Sequence, residues 1–102
     1  MSKHTPGPWR IGRKVPHLVI AGTEGCLICD CALDEITPME EFRANAKLIA
    51  AAPELLAALE YAVRYEVQVV NQENEHRVAG THFPLPEWVA QAMAAISAAK
   101  GE

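Results

Sequence analysis

Serine is nearly missing from this chain of 102 residues: only Ser2 and Ser97 carry it, one near each end. That scarcity argues against a serine nucleophile framed by a base and an acid. Long apolar runs are missing too, since no stretch of about 18 apolar residues occurs and no membrane span is predicted. The opening Met1-Ser2-Lys3-His4-Thr5-Pro6-Gly7-Pro8 lacks the apolar core of a secretory signal. The expected location is therefore the cytoplasm. The six glycines are scattered, and they compose neither a phosphate loop nor a dinucleotide fingerprint. Acid is absent from residues 1–20, which hold Lys3, Arg10, Arg13 and Lys14, whereas residues 21–102 hold five bases and all thirteen acids. The chain as a whole carries −4 and shows no broad basic stripe, which argues against a general nucleic-acid binder. Its basic start reads either as a solvated arm or as a small positive surface for an anion such as phosphate.

What the chain does have is alanine. Half of its residues are hydrophobic, but alanine contributes little buried area per residue. This length predicts one domain, residues 1–102, with a modest core. Alanine-rich faces over residues 44–62 and 90–99 predict that a second subunit covers them, giving a homo-oligomer. There is no internal repeat.

Periodicity supplies the architecture. Trp9-Arg10-Ile11 alternates, with Trp9 and Ile11 on one face. Gly12-Arg13-Lys14 reads as a turn, His17–Ala21 as a second strand and Cys26–Ala32 as a third. Glycines at both ends of residues 22–25 suit a hairpin connection. Connections this short cannot make a parallel crossover, so residues 1–36 form an antiparallel meander. Thr37 is the expected N-cap of a first helix, with Pro38 at its first position and Glu40 completing a capping box. Met39, Phe42, Ala46 and Ile49 would face the core. Pro53 breaks the helix, which should end near Ala51, and a second one starts there. Its apolar stripe is Leu56, Leu59, Val63, Val67 and Val70, and helix propensity fades after Tyr65. Residues 71–83 read as a polar loop suited to mobility. Pro86 opens a last helix carrying Trp88, Val89, Ala92, Met93 and Ile96, and Gly101 ends it. The predicted fold is α+β: an N-terminal three-stranded antiparallel meander followed by two or three helices packed on it.

Candidate chemistry is sparse. Cys26-x-x-Cys29-x-Cys31 falls on a strand, so Cys29 and Cys31 share a face and Cys26 and Cys29 do not. Zinc would need a fourth ligand from His17 or His4, with no second paired-ligand knuckle in the chain. The cysteines read as packing thiols in a reducing compartment, and no metal or cofactor is expected. His4, His17, His76 and His82 lie at no ligand spacing on a helix, and no nucleophile motif frames them, so no enzyme is expected. Glu40 and Glu41 complement the helix dipole. The remaining constellation is Trp9, Arg10, Arg13, Lys14 and His17 near the first hairpin, with Arg43, Asn45 and Lys47 from the first helix placed beside it. Aromatic and guanidinium faces suit a base and a phosphate. The structural alternative is that Trp9 packs in the core and the cations are solvated.

His4-Thr5-Pro6-Gly7-Pro8-Trp9, two further strands, and then Phe42-Arg43-Ala44-Asn45-Ala46-Lys47-Leu48-Ile49-Ala50-Ala51-Ala52-Pro53-Glu54-Leu55-Leu56-Ala57-Ala58-Leu59 resemble a family of small bacteriophage and prophage accessory proteins. The resemblance runs from His4 to Leu59 and leaves the tail from Tyr61 unmatched. It implies an accessory product acting in the infected bacterial cell. Such proteins often counter host defence by binding without catalysis, and some are oligomeric sponges for nucleotide signals. The resulting expectation is a non-enzymatic anti-defence protein that sequesters a nucleotide-type anionic signal. The alternative is an inhibitor that binds a host defence protein through its helical surface.

Overall fold

The computed structural model describes residues 4–22, 25–32, 34–78 and 80–101. The order of elements is β1 (Trp9–Ile11), β2 (Leu18–Ala21), β3 (Cys26–Asp30), α1 (Met39–Ala50), α2 (Ala52–Asn74) and α3 (Glu87–Lys100). The chain divides into two compact units, one of His4–Leu55 and one from Leu56 onward.

In the first unit the three strands form the expected antiparallel meander, in the order β1-β2-β3. Gly12 closes the first connection. Its N–H donates to the Leu18 carbonyl at 3.0 Å, and a Cβ there would stand 2.7 Å from the Val15 carbonyl oxygen. Gly22 and Gly25 flank the second connection, both at φ 74°, a region that L side chains avoid. Trp9 pairs with Ala21 and Ile11 with Val19, while β3 places Cys29 opposite Val19 and Leu27 opposite Ile20. Ile28 is thus the extra residue of a β-bulge. Paired residues share a face. One face carries Trp9, Ile11, Val19, Ala21, Cys26 and Cys29, and the other carries Arg10, Leu18, Ile20, Leu27 and Asp30; the bulge puts Cys26 on the face of Cys29, where plain strand alternation separates the two. α1 packs on β1 and β2. Its Phe42 and Ala46 are buried, as are Val19 and Ala21, so α1 covers the Trp9 face.

The start of α1 differs from the sequence reading. Pro38 occupies the N-cap position, with no side-chain cap. The Thr37 hydroxyl instead donates to Asp34 Oδ2 at 3.0 Å. Asp34 Oδ1 also accepts the N–H groups of Ile36 at 2.9 Å and Thr37 at 2.6 Å. The charge-assisted bond to Asp34 fixes the Thr37 hydroxyl there, and its oxygen accepts none of the N–H groups of the first turn as a cap would. The proline break is as expected: Ala51 ends α1 at φ −82°, ψ −6°, and α2 begins at the next residue.

In the second unit α2 and α3 form an antiparallel hairpin. Lys100 Nζ lies 2.8 Å from Glu60 Oε2 near one end, and Asn74 binds the Phe83 backbone near the other. Val63, Val89 and Ala92 are its buried core, with Leu59, Val67 and Ile96 packed around them. Of the apolar side expected of α3, Val89 and Ala92 are buried while Trp88 and Met93 are exposed. Helix α2 also runs through Asn74, past the valines where propensity fades. Val67 and Val70 lie on its half-buried stripe, and tertiary packing outweighs a weak intrinsic preference. Residues 71–74 are therefore helical where a loop was predicted. The connection beyond is tied: Asn74 Nδ2 donates to the Phe83 carbonyl at 2.9 Å, Phe83 N–H donates to Asn74 Oδ1 at 2.7 Å, and the Arg77 guanidinium sits 3.9 Å from the centre of the Phe83 ring. Gly101, at φ 74°, ends α3 as predicted. Among the described residues, no helix is long and apolar enough to cross a membrane.

Candidate functional site

The basic hairpin supplies the first candidate. Arg10 lies on the sheet face away from α1, and its Nη2 donates to the Gly22 carbonyl at 3.3 Å. A guanidinium has five N–H donors, so one such bond leaves most of them for another acceptor. Arg10 and Arg13 line a depression of about 500 Å³ together with Pro8 and Gly22. No carboxylate is among the described residues of that lining. Two guanidiniums on one depression suit a phosphate or another multidentate anion. Lys14 is exposed in the same turn.

The other predicted site residues lie elsewhere. Trp9 is half-buried on the α1 side of the sheet. Its Nε1–H donates to the Thr5 carbonyl at 3.1 Å, and its ring meets His4 edge-on with centroids 6.2 Å apart. Its role in the structure is packing and closure of the N-terminal turn. His17 Nδ1 lies 2.9 Å from Asp30 Oδ1. The Ala32 N–H bonded to Asp30, followed by His17, holds the Asp30 carboxyl below the usual aspartate value. Arg43 and Lys47 are exposed on α1, which lies across the sheet from Arg10. The structure therefore brings Arg10 and Arg13 together and does not add Arg43, Asn45 or Lys47 to them. Strand alternation separates Arg10 from Trp9, but the sequence alone does not say which face a helix covers.

Asn45 belongs to a second depression, of about 400 Å³, with Cys29, Asp30, Cys31, Leu48 and Ile49. The sulfurs of Cys29 and Cys31 are 3.7 Å apart. Burial and then the neighbouring Cys31 thiol push the Cys29 thiol up from its usual value. The sequence signal for this site was the shared face of residues 29 and 31.

The helical hairpin offers a third surface. A groove of about 400 Å³ runs along Val63, Val67, Met93 and Ile96, with Glu60, Arg64 and Ser97 on its margins. Tyr61 and Tyr65, one turn apart, stack at 19° with centroids 6.4 Å apart. They remain 68% and 59% exposed. Exposed aromatics of this kind are enriched where proteins bind partners.

A family model described as Salmonella phage P22 protein Y8K6 matches residues 1–102. It extends over the tail beyond Tyr61. No curated protein and no solved structure matches the chain.

Proposed function

We propose, for a chain that belongs to this phage P22 protein family and is thereby a phage-encoded accessory protein, a non-catalytic role against host defence: capture of a phosphate-bearing, nucleotide-type signal molecule. The observation that carries this reading is the depression shared by Arg10 and Arg13, with no carboxylate among the described residues of its lining. Charge-assisted hydrogen bonds to phosphate are about twice as strong as neutral ones, so two guanidiniums supply both affinity and orientation. Calorimetry against cyclic dinucleotides, cyclic trinucleotides and ADP-ribose derivatives tests it. One member should bind, and Arg10→Ala with Arg13→Ala should weaken that binding at least about tenfold, the size of effect expected from losing 1.4 kcal/mol of charge-assisted bonding. If no member binds, the reading fails. If binding survives the double substitution, the ligand class stands and the location is wrong.

A second reading is favoured by the exposed Tyr61–Tyr65 stack on α2. In it the helical surface grips a host defence protein and blocks its action. A stoichiometric host protein that copurifies with the wild-type chain, and is lost on Tyr61→Ala with Tyr65→Ala, would establish this reading over the first.

A further inference from the structure

The three cysteines stand in different settings. Cys26 is exposed at the start of β3, whereas Cys29 and Cys31 are half-buried with their sulfurs 3.7 Å apart. Both of the latter are fixed to β2 through the backbone. Cys29 pairs with Val19, and the Cys31 N–H donates to the His17 carbonyl at 2.8 Å. Residues two apart on an extended chain point to one face, and here that face lines the depression beneath Asn45 and Ile49. Both cysteines thus line a depression of about 400 Å³, large enough to admit a small solute.

We propose that Cys29 and Cys31 are a reversible redox pair that closes to an intramolecular disulfide by exchange with a small-molecule disulfide of the glutathione type. One cysteine, as thiolate, attacks a sulfur of the oxidant. A mixed S–S bond forms, the oxidant's S–S bond breaks, and one thiol departs with the proton the cysteine gave up. The second cysteine then attacks the mixed disulfide on the protein sulfur. The Cys29–Cys31 bond forms, and the second small thiol leaves with the second proton. Two electrons pass from the protein pair to the oxidant.

The backbone makes this bond possible and keeps it labile. Residues two apart in a strand stand roughly 6.6 Å apart at Cα, near the upper end of the about 4.4–6.8 Å that a disulfide spans. Cys31 lies just beyond the end of β3, where the chain can bend to bring the sulfurs together. A disulfide formed at that limit is strained, and strained disulfides are readily reduced. The pair thus suits a sensor better than a permanent staple. Closing it redraws one wall of the depression.

The test uses the full-length reduced protein in a series of oxidised-to-reduced glutathione ratios, quenched and alkylated, then read by intact mass and peptide mapping. The expected product has lost two hydrogens, keeps one alkylatable thiol that maps to Cys26, and is restored by dithiothreitol. Cys26→Ser should retain the behaviour. Cys29→Ser and Cys31→Ser should each lose it and accumulate a glutathione adduct on the remaining partner. The proposal is overturned by no mass change across the series, by a stable glutathione adduct on wild-type Cys29 or Cys31, or by a disulfide that uses Cys26 or links two chains. Mapping of the wild-type protein decides the matter even if a serine variant folds poorly.

Discussion

Gly7 lies against Pro53 so closely that a Cβ on Gly7 would stand 2.7 Å from the Pro53 Cβ and 3.2 Å from its Cγ. The N-terminal turn and the first turn of α2 therefore meet through a position where only glycine fits without movement. Pro53 is a rigid ring and cannot swing aside as a long side chain could. Gly7→Ala should destabilise the fold by about 1–3 kcal/mol through overpacking. A gain of about 0.4–1 kcal/mol from the less flexible unfolded chain opposes this and is the smaller effect. Pro53→Gly removes both of those carbons, so the double variant should be more stable than the two single losses predict, by a coupling of about 0.5–3 kcal/mol. Denaturant melts of the four proteins measure this. Additive losses would show that the contact is not formed.

Asp34 gathers the N–H groups of Ile36 and Thr37 and the Thr37 hydroxyl. The Thr37 N–H and then its hydroxyl hold the Asp34 carboxyl below the usual aspartate value. A folded pKa below the unfolded one gives stability that is present above the unfolded value of about 3.9 and lost as pH falls through the folded value. Asp34→Asn should thus be less stable than the wild type at about pH 7, and the gap should close in acid below the aspartate range. The residue is exposed, so solvent screening keeps the effect small. A gap that stays constant from neutral to acid pH would rule out the carboxylate as its source.

Much of this architecture is legible in the residues themselves. Trp9-Arg10-Ile11 alternates as a strand, Gly22 and Gly25 mark the hairpin, Pro53 marks the helix break and Gly101 marks the last C-terminus, and each is where its local chemistry places it. The errors arise where a neighbour outcompetes a local rule. Thr37 reads as a cap until Asp34 takes its hydroxyl. Val67 and Val70 weaken a helix in isolation but are retained by packing in the hairpin. The site is less legible than the fold. Arg10 and Arg13 are found together, but their distance from Arg43 and Lys47 depends on which sheet face α1 covers, and that is a tertiary fact. The Cys29–Cys31 contact needs the strand parity, which is visible in the sequence, and the rotamers, which are not.

Val89 is 1% exposed at the centre of the α2–α3 hairpin. Val89→Ala removes two carbons from a core whose buried members are Val63, Val89 and Ala92. At about 0.8 kcal/mol per buried methylene, with a cavity contribution added, the loss should be about 2 kcal/mol. That is a large share of the roughly 5–15 kcal/mol typical of a small fold. Amide exchange should quicken in α2 and α3 first. Met93→Ala, at a half-exposed position, should cost less than half as much. Equal losses at the two positions would contradict the placement of Val89 in the core.

Alanines at positions 57, 58, 62, 90, 94, 95, 98 and 99 are exposed on α2 and α3. Small side chains on a helix face let another helix approach closely, and a face of this kind left to water adds nothing to stability. Self-association into an even-numbered oligomer is the expected outcome, since a two-fold axis covers the same face on both copies at once. Light scattering at micromolar concentration should report at least twice the 11.1 kDa of the chain. Ala94→Arg and Ala98→Arg together place two bulky cations on the outer side of α3 while keeping good helix formers there. The variant should keep its helical signal and run as a monomer. A wild-type mass of one chain would remove the oligomer. An oligomer that tolerates both arginines would move the interface away from α3.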